Sequence, residues 1–572
     1  MKKLMLGNAA IARGAYEAGV RVASAYPGTP STEITEEIAN YPEIYAEWSP
    51  NEKVAFEVGI GASIGGARAL VCMKHVGLNV AADPMFTLAY TGVGAGFVLV
   101  VADDPGMHSS QNEQDSRDYA RAAHIPMLEP SDSQEAKDYI KLAYDLSEKY
   151  DTPVIVRTTT RLAHSQTFVE QCDKVEKALK PYVKDAKKYV MMPANARARH
   201  IVLEERMKVI SNDCNNISIN SAIYKSSKLG IICSGVVYQY VREALPDASI
   251  FKLGMVYPLP ISAIREFSSK VSELIVIEEL EGFFETELNA NGIICHGKDL
   301  FGIQGEISVP LIKNKFFGNA IPSPDNNMPV RPPVMCAGCP HRGVYYILNK
   351  MKLTVSSDIG CYTLGALPPL SAVDSVICMG ASIGIAHGFD KANNGNINNI
   401  VSVIGDSTFI HSGITGLINS VYNKSNGTLL ILDNSTTGMT GHQNHPATGL
   451  TIKGEKTNQL DLIKLVEACG VKRISIVDSY DLSKLESIIK EELKAPEMSV
   501  IIAKRPCKLL SKAPTTTFSI NDKCAKCGMC MKIGCPAIRK AENGVISIDK
   551  AICVGCGLCQ KMCKFNAIVE DK

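Results

Sequence analysis

The last fifty residues of the chain contain eight cysteines in two similar runs, and this spacing restricts the fold of that segment more than any other feature of the sequence. Structural zinc takes four ligands in two pairs, whereas two groups of four cysteines suit two [4Fe–4S] clusters. The segment is therefore predicted to bind two iron–sulfur clusters and to carry electrons one at a time. The runs are Cys524-x2-Cys527-x2-Cys530-x4-Cys535-Pro536 and Cys553-x2-Cys556-x2-Cys559-x3-Cys563.

Both runs resemble the cysteine pattern of bacterial ferredoxins, in which the fourth cysteine of a run binds the cluster of the other run. Two departures are present: four residues rather than three precede Cys535, and Cys563 is followed by Lys564 instead of proline. Neither departure removes a ligand. The resemblance implies that one cluster is bound by Cys524, Cys527, Cys530 and Cys563, and the other by Cys553, Cys556, Cys559 and Cys535.

The composition of the whole chain is that of an ordinary globular protein. Its 572 residues are enough for three or four domains of roughly 150 residues each. A net charge of +1 argues against binding to nucleic acid or to a membrane surface through bulk electrostatics. No apolar run reaches the ~18 residues of a spanning helix, and the N-terminus lacks the apolar region of a signal peptide. We therefore expect a cytoplasmic protein with no membrane segment, in which isolated cysteines such as Cys72 and Cys233 are buried thiols.

Short apolar runs rich in β-branched residues alternate with helical stretches along most of the chain. Runs of this length without polar alternation are typical of parallel strands that are buried on both faces. The sequence therefore predicts a multidomain α/β protein with a small α+β domain at its C-terminus. The predicted strands are residues 97–102, 153–157, 229–233, 274–278, 400–404, 428–433 and 499–503.

Two of these predicted strands are followed by oxygen-bearing side chains. The strand at 400–404 leads into Gly405 and Asp406, and the strand at 428–433 leads into Asn434. Because the carboxyl ends of parallel strands meet at one sheet edge, Asp406 and Asn434 are expected to lie side by side where α/β sheets bind ligands. Their oxygens suit Mg²⁺, which bridges phosphates, and Gly405 would let the backbone approach a diphosphate closely.

This stretch resembles the signature of thiamine diphosphate enzymes, a Gly-Asp-Gly followed after ~25–30 residues by asparagine. Ser407 replaces the last glycine of the signature, and Asp433 replaces the first residue of the usual asparagine pair. The resemblance implies a Mg²⁺ ion held by Asp406, Asn434 and the carbonyl of Thr436. It also implies a cofactor in contact with Gly405, Ser407, Gly438 and Met439.

The N-terminal part of the chain carries a second resemblance. The stretch Tyr26-Pro27-Gly28-Thr29-Pro30-Ser31 is similar to the Tyr-Pro-x-Thr-Pro-Ser motif of 2-oxoacid:ferredoxin oxidoreductases, and Glu52 stands before a helix predicted over residues 54–66. In thiamine enzymes a glutamate at this place hydrogen-bonds the aminopyrimidine ring and assists the proton transfer that activates the cofactor. The resemblance assigns this role to Glu52; Glu57, further along the same helix, is the alternative.

Segments around residues 335–342, 358–361 and 437–443 extend the resemblance to this family over nearly the whole chain. With a ferredoxin domain on the same chain, the sequence is most similar to family members that act on arylpyruvates such as indolepyruvate. The resemblance implies oxidative decarboxylation of such a 2-oxoacid, with coenzyme A as acyl acceptor, ferredoxin as electron acceptor and a smaller β subunit as partner. The substrate pocket would be lined by Thr29, His108, His442 and His445.

Two alternatives to this function remain open on the sequence. The substrate could be pyruvate, 2-oxoglutarate or another 2-oxoacid, because the shape of the pocket decides which acid binds. The chain could also be a noncatalytic electron-transfer subunit whose thiamine site has decayed. The intact Glu52, Asp406 and Asn434 argue against this second alternative.

The pair Cys336-x2-Cys339 has two interpretations. Such a pair is often a redox dithiol or part of a plain loop. In related oxidoreductases, a similar pair, a third cysteine ~25 residues later and a fourth much later hold a cluster near the cofactor. Cys361 and Cys507 stand at those places. The resemblance therefore implies a third [4Fe–4S] cluster bound by Cys336, Cys339, Cys361 and Cys507.

These features divide the chain into four expected domains. Residues 1–165 would form the thiamine pyrimidine-side domain, and residues 166–325 a linker with a transketolase C-terminal-like α/β domain. Residues 326–515 would form the diphosphate-binding domain, and residues 516–572 the 2[4Fe–4S] ferredoxin domain. Within the second domain, the lysine-rich stretch 169–189 is expected to be a boundary helix or linker, and residues 229–289 a βαβ unit.

Overall fold

The computed structural model describes residues 2–321, 332–393, 399–511 and 516–571. The chain divides into two units, residues 1–328 and 329–572. The predicted domain boundary between residues 325 and 326 lies outside the described residues, and the predicted domain that ends at residue 515 ends outside them as well. Within the described ranges, no helix is long and apolar enough to cross a membrane.

A mainly parallel seven-stranded sheet occupies the first unit, together with a four-stranded sheet and a two-stranded sheet. Their strands are β1 (Lys2–Leu6), β2 (Val22–Ala25), β3 (Tyr45–Trp48), β4 (Ala69–Lys74), β5 (Phe97–Asp103), β6 (Met127–Leu128), β7 (Val154–Thr159), β8 (Gln166–Glu170), β9 (Ser221–Ile223), β10 (Leu229–Ser234), β11 (Ser249–Leu253), β12 (Met255–Tyr257) and β13 (Glu273–Val276). The large sheet has the order β12-β6-β7-β5-β4-β2-β3, and only β12 runs antiparallel to its neighbour. Its central strands β4, β5 and β7 are buried along their whole length, as their continuous apolar runs predict.

Five of the helices described in the first unit begin after a residue whose side chain accepts a backbone N–H group. The helix predicted over 54–66 starts at Glu52 because the side chain of Asn51 accepts a hydrogen bond from the N–H of Val54 at 2.9 Å. The helices are α1 (Gly7–Glu17), α2 (Thr32–Ala39), α3 (Glu52–Ile64), α4 (His75–Thr91), α5 (Ser116–Ala123), α6 (Ser133–Tyr150), α7 (Thr160–His164), α8 (Ala186–Tyr189), α9 (Pro193–Asp213), α10 (Val237–Ala244), α11 (Ile261–Ser268), α12 (Phe283–Ala290), α13 (Lys298–Phe301) and α14 (Val309–Phe317).

The four-stranded sheet has the order β13-β10-β11-β9, with β10 parallel to both β11 and β13. This is the βαβ arrangement predicted for residues 229–289. The lysine-rich stretch before it is mostly a linker, since residues 171–185 form neither helix nor strand and only α8 follows. Two elements past residue 165 pair with earlier strands: β8 is antiparallel to β1, and β12 joins the seven-stranded sheet through β6.

Buried arginines connect the large sheet to the four-stranded sheet. Arg117 on α5 donates to Asp115 at 2.8 Å and to Glu278, which follows β13, at 2.6 Å. Arg157 on β7 donates to Glu129 at 2.6 Å, and this carboxylate also accepts the hydroxyl of Ser234 on β10 at 2.9 Å. Burial alone would lower the pKa of Arg117, but the charges of Asp115 and Glu278 raise it well above its usual value. The guanidinium groups therefore compensate carboxylates that would otherwise be buried alone.

The second unit contains a parallel five-stranded sheet with the order β14-β15-β16-β18-β17 and two small antiparallel pairs, β19 with β22 and β20 with β21. A π-helical turn, Phe409–Gly413, joins α17 to α18. The elements are β14 (Thr354–Ser356), β15 (Ile400–Gly405), β16 (Thr428–Asp433), β17 (Arg473–Asp478), β18 (Ser499–Lys504), β19 (Phe518–Ile520), β20 (Ile538–Lys540), β21 (Ile546–Ile548) and β22 (Ile568–Glu570), with α15 (His341–Lys350), α16 (Ala381–Ala392), α17 (Asp406–Thr408), α18 (Ile414–Tyr422), α19 (Leu462–Ala468), α20 (Leu482–Glu492) and α21 (Leu558–Met562).

The cysteine-rich tail shares a hydrophobic core with the five-stranded sheet. Val344 and Leu348 on α15 belong to the same buried cluster as Phe518, Ile533 and Leu558 of the tail. The ammonium group of Lys561 donates to the carbonyl of Tyr480 at 2.8 Å. Within the second unit, the tail is therefore packed against α15 and is not merely tethered by a linker.

Replacing Arg117 with methionine removes the guanidinium that pairs with the buried carboxylates of Asp115 and Glu278. We expect the variant to destabilise the first unit by about 3–5 kcal/mol. Trp48 is the single tryptophan of the chain and lies in β3, so its fluorescence reports the unfolding of this sheet in urea.

The control for this prediction is Arg121→Met. Arg121 pairs with Asp118 and Glu287, but all three side chains are about one-third or more exposed. Loss of these two exposed ion pairs in Arg121→Met should lower the free energy of unfolding by no more than about 1 kcal/mol. Equal shifts of the urea midpoint in the two variants would contradict the role assigned to the buried arginine.

Candidate functional site

Asp406 and Asn434 lie next to each other at the carboxyl edge of the five-stranded sheet, where the sequence places them. Gly405 pairs with Leu432 in the ladder between β15 and β16, so the two strands end within one residue of each other along the sheet edge. Both side chains are buried, with 2% and 7% of their surface exposed. The carboxylate of Asp406 accepts the N–H of Ser435 at 2.9 Å, which joins the two strand ends.

The end of the Asn434 side chain shows what kind of ligand this edge suits. One terminal atom of its amide lies 2.8 Å from the carbonyl oxygen of Thr436 and 3.1 Å from Oδ1 of Asp406. If that atom is nitrogen, the amide donates to both oxygens; if it is oxygen, three oxygens converge. Neighbouring ligands of an octahedral Mg²⁺ ion lie roughly 2.9 Å apart, given Mg–O distances of about 2.0–2.1 Å. The oxygens that Asp406, Asn434 and Thr436 carry are the donors that Mg²⁺ prefers, so the residues present fit this ion.

His445 is a neighbour of the Asp406 carboxylate. Its Nε2 lies 3.3 Å from Oδ2 of Asp406, and its Nδ1 accepts the N–H of Ala447 at 3.3 Å. Because Nδ1 is an acceptor, Nε2 carries the proton and faces the carboxylate. Burial raises the pKa of Asp406, and His445 opposes that shift. In the structure His445 contacts the Asp406 carboxylate, and its expected place in the substrate pocket stays a prediction.

The other residues expected to contact a cofactor lie around this edge. Ser407 follows Asp406, and its Oγ accepts a hydrogen bond from the hydroxyl of Thr437 at 2.9 Å. A Cβ atom at Gly438 would lie 3.5 Å from the amide nitrogen of Asn434. Met439 is half exposed. His442 has a backbone φ of 69°, and its buried Nδ1 has no hydrogen-bond partner among the described residues.

Asp358 and Tyr362 also belong to this edge, although sequence reasoning gave neither of them a role. Asp358 follows β14 and accepts the N–H groups of Gly380 at 2.8 Å and Ser382 at 3.1 Å, at the start of α16. A Cβ atom at Gly405 would lie 2.7 Å from the ring of Tyr362. Glycine at 405 is therefore needed to accommodate an aromatic ring, a reason different from the close approach of a diphosphate. The available signal for Asp358 was the segment 358–361, which the family resemblance includes without giving this residue a role.

In the first unit, the structure distinguishes the two candidate glutamates. Glu52 is the first residue of α3 and is 5% exposed, packed against α4 so closely that a Cβ atom at Gly77 would lie 2.6 Å from its Oε1. Glu57 is 45% exposed and pairs with Lys53 on the same helix. Of the two glutamates, Glu52 is thus the buried one, and it follows β3 at the carboxyl edge of the seven-stranded sheet.

Thr29 and His108 lie on loops at the same edge of the seven-stranded sheet. Thr29 falls between β2 and α2, and its carbonyl accepts the hydroxyl of Ser109 at 3.4 Å. The Nε2 atom of His108 lies 3.0 Å from a carboxylate oxygen of Glu306, and the ring is half exposed. The structure therefore brings the two loops together through Ser109.

Two cavities in the tail are each surrounded by four cysteines. Among the described residues, no three histidine, cysteine, aspartate or glutamate side chains lie close enough together to hold a single metal ion. The cysteines are instead spread around cavities, which suits a cluster better than one zinc ion. The first cavity is lined by Cys524, Cys527, Cys530 and Cys563, and the second cavity by Cys535, Cys553, Cys556 and Cys559; each has a volume of about 20 Å³.

The loop that carries Cys336 and Cys339 lies against the second cavity. Gly338 lines the cavity, and its carbonyl accepts the hydroxyl of Tyr480 at 2.5 Å. The buried Arg342 donates to the carbonyl of Cys336 at 2.9 Å and to that of Gly534 in the tail at 2.5 Å. One guanidinium group therefore holds the loop against the tail.

Cys361 and Cys507 connect this loop with the metal edge. The N–H of Cys507 donates to the carbonyl of Asn434 at 2.9 Å, and a Cβ atom at Gly438 would lie 3.4 Å from the sulfur of Cys361. Burial, together with the nearby thiols of Cys507 and Cys336, raises the pKa of Cys361 to about 11. Cys361 and Cys507 thus lie near the metal edge, and the loop of Cys336 and Cys339 lies against the second cavity.

Three family models match the chain. The thiamine diphosphate-binding model of pyruvate flavodoxin/ferredoxin oxidoreductases matches residues 13–220. The C-terminal TPP-binding domain of thiamine pyrophosphate enzymes matches residues 358–503, and a 4Fe-4S binding domain matches residues 546–569. The matches cover the buried Glu52, the metal edge and the second cysteine run.

Curated relatives match the chain over its full length. It is 42% identical over 614 residues to the indolepyruvate oxidoreductase subunit IorA of Archaeoglobus fulgidus, covering all of this chain and 98% of that protein. It is 39% identical over 630 residues to the same subunit of Thermococcus kodakarensis, covering all of this chain and 97% of that protein. The 2-oxoglutarate synthase subunit KorA of Methanothermobacter marburgensis is 26% identical over 368 residues, which is 54% of this chain and 97% of that protein. The chain therefore belongs to the family of indolepyruvate oxidoreductase IorA subunits, oxidoreductases with thiamine diphosphate-binding domains and a 4Fe–4S binding domain.

Proposed function

We propose that this chain oxidatively decarboxylates arylpyruvates, indolepyruvate foremost, to aryl-acyl-coenzyme A and carbon dioxide, with ferredoxin as the electron acceptor. The full-length similarity to IorA subunits supports this substrate class. One observation carries the proposal: a single unit contains the oxygen donors of a Mg²⁺ site and the cysteine-lined cavities. The backbone hydrogen bond from Cys507 to Asn434 joins the two.

In this proposal the carboxyl edge of the five-stranded sheet binds the diphosphate end of the cofactor. Thiamine diphosphate, when bound, supplies the electron sink that lets a 2-oxoacid lose carbon dioxide. His445 holds the Asp406 carboxylate in the orientation that a metal ligand needs. The ligands of Mg²⁺ are Asp406, Asn434 and the carbonyl of Thr436, and the residues beside the diphosphate are Gly405, Ser407, Gly438 and Met439.

In the first unit, the proposal assigns residues to an aminopyrimidine ring and to the substrate. Glu52 holds a proton at the aminopyrimidine, and its burial keeps water away from that hydrogen bond. Thr29, His108 and His442 border the 2-oxoacid. Residues 1–165 accordingly form the pyrimidine-side domain, 166–325 the linker and transketolase C-terminal-like domain, 326–515 the diphosphate-binding domain and 516–572 the ferredoxin domain.

The electrons leave through three [4Fe–4S] clusters. The contacts of Cys361 and Cys507 with the metal edge support a first cluster beside the cofactor. Gly338 lines the second cavity, which supports an order in which a cluster in the second cavity would follow the first cluster and a cluster in the first cavity would come last. The ligand sets are Cys336, Cys339, Cys361 and Cys507; then Cys535, Cys553, Cys556 and Cys559; then Cys524, Cys527, Cys530 and Cys563.

The proposed partners are a smaller β subunit, coenzyme A and ferredoxin. A second candidate function is the oxidation of 2-oxoglutarate, because the KorA subunit matches half of this chain. Its identity of 26% is far below the 42% of the IorA relative, so we favour the aromatic acid. A noncatalytic role is disfavoured, because Glu52, Asp406 and Asn434 are all present and buried.

Steady-state rates on a panel of 2-oxoacids test this function. The chain is reconstituted anaerobically with its β subunit, thiamine diphosphate and Mg²⁺, and assayed with coenzyme A and ferredoxin. We expect kcat/KM for indolepyruvate to exceed that for pyruvate and 2-oxoglutarate by at least about tenfold, because the pocket must accept a large ring. A preference for either of the smaller acids would overturn the substrate assignment. Turnover of none of the three by a fully reconstituted complex would indicate the noncatalytic alternative.

Asp406→Ala removes one of the three oxygens of the metal site. We expect thiamine diphosphate and Mg²⁺ to bind at least about a hundredfold more weakly, while the tail keeps its iron. Cofactor and iron analysis of the purified chain measures both. Cys563→Ala is the matched control, since it should lose iron from the tail and still bind thiamine diphosphate. Full cofactor occupancy in Asp406→Ala would show that the metal site lies elsewhere.

The iron content of the chain purified without oxygen tests the third cluster. We expect about twelve iron ions per chain, and about eight in Cys361→Ser, because each cluster holds four. Cys469→Ser is the control, since Cys469 is half buried in a different hydrophobic cluster and should not change the count. About eight iron ions in the unaltered, catalytically active chain would refute the third cluster.

A further inference from the structure

Lys74 is a buried cation for which the structure provides no anion. Three lysines among the described residues are buried, Lys74, Lys137 and Lys252. The ammonium of Lys137 lies 3.1 Å from Asp138, and that of Lys252 pairs with Glu135. Lys74 is 7% exposed, yet within the described part of the chain its ammonium forms no ion pair with a carboxylate.

The neighbours of the Lys74 ammonium are neutral groups. It donates to the carbonyl of Ser109 at 2.6 Å and lies 3.4 Å from the hydroxyl of the same residue, which leaves its third N–H without an acceptor among the described residues. Asp104 acts on it only at longer range, and the oxygens of that carboxylate already accept from the Ser109 N–H and from the hydroxyls of Ser110 and Thr160. Burial lowers the pKa of Lys74 to about 8, and Asp104 opposes the shift.

The position of Lys74 in the fold is that of a ligand-binding residue. It ends β4 and directly precedes α4, a helix of 17 residues whose N-terminus lies at the carboxyl edge of the seven-stranded sheet. A Cβ atom at Gly28 would lie 3.2 Å from the Cβ of Lys74, so the side chain starts beside the Thr29 loop. One turn further along α4, Gly77 packs against Glu52. The Lys74 side chain therefore starts beside the Thr29 loop, and its ammonium lies on Ser109, whose hydroxyl contacts the carbonyl of Thr29.

A buried charge without a counter-ion is costly, and it is commonly retained where a ligand supplies the opposite charge. The neighbouring His75 does not supply a second cation, because burial lowers its pKa and its Nε2 faces the carbonyl of Asn112 at 3.2 Å. We infer that Lys74 binds the carboxylate of the 2-oxoacid and thereby selects acids over neutral carbonyl compounds. This inference rests on the proposed function for the identity of the acid.

Equilibrium binding of two unreactive probes tests the inference on the reconstituted complex. Indole-3-propionate carries the carboxylate but no keto group, and indole-3-propionamide is its neutral analogue. For Lys74→Met we expect the Kd of the acid to rise about ten- to a hundredfold, with the Kd of the amide changed less than about twofold. Lys74→Arg should keep the preference for the acid. Thiamine diphosphate content and melting temperature should not fall in Lys74→Met, because removing an unpaired buried charge does not destabilise the fold.

Lys188→Met is the control, because its ammonium also donates to a backbone carbonyl, that of Val93 at 2.8 Å, but is paired with Asp151. It should leave the binding of both probes unchanged. Unchanged acid binding in Lys74→Met, or equal losses for acid and amide, would overturn the inference while leaving the proposed function intact. Loss of acid binding in a complex that oxidises no 2-oxoacid would keep Lys74 as an anion-binding residue and refute the proposed function instead.

Discussion

The hydrogen-bonded register between β15 and β16 is the constraint on which the candidate site depends. Because Gly405 pairs with Leu432, the side chains of Asp406 and Asn434 emerge together from two strands that are distant in sequence. The carbonyl of Thr436 completes a set of oxygens that repel one another unless a donor or a cation lies among them. A shift of the ladder by one residue would turn these side chains to the opposite face of the sheet and abolish the site.

The same sheet also positions a cysteine of the proposed electron pathway. β18 lies beside β16 and leads to Cys507, so the strand order itself brings a cysteine next to the metal loop. Arg342 then joins the Cys336 loop to the tail through backbone carbonyls. Because these contacts lie in a shared hydrophobic core, the distances between the cysteine groups are fixed by close packing and do not depend on a flexible linker.

The strands and the meeting of Asp406 with Asn434 could be predicted, because both follow from local patterns and from the geometry of a parallel sheet. The two sets of tail cysteines could be predicted, because the ferredoxin pattern pairs them across the runs. The contact of His445 with Asp406 could not, since it depends on the loop conformation that makes Nδ1 an acceptor for Ala447. The burial of Lys74 could not either, since it arises when the loop around Ser109 covers the end of β4.

The central claim is that the thiamine site and the clusters of this chain form one electron pathway. Electron paramagnetic resonance of the anaerobic reconstituted complex, after addition of indolepyruvate and coenzyme A without ferredoxin, tests it most directly. We expect the signal of reduced [4Fe–4S] clusters in the unaltered complex, and we expect this signal to disappear when ferredoxin is added. In Asp406→Ala with intact tail clusters, we expect no such signal. Formation of aryl-acyl-coenzyme A while every cluster stays oxidised, or equal reduction of the clusters in Asp406→Ala, would contradict the account.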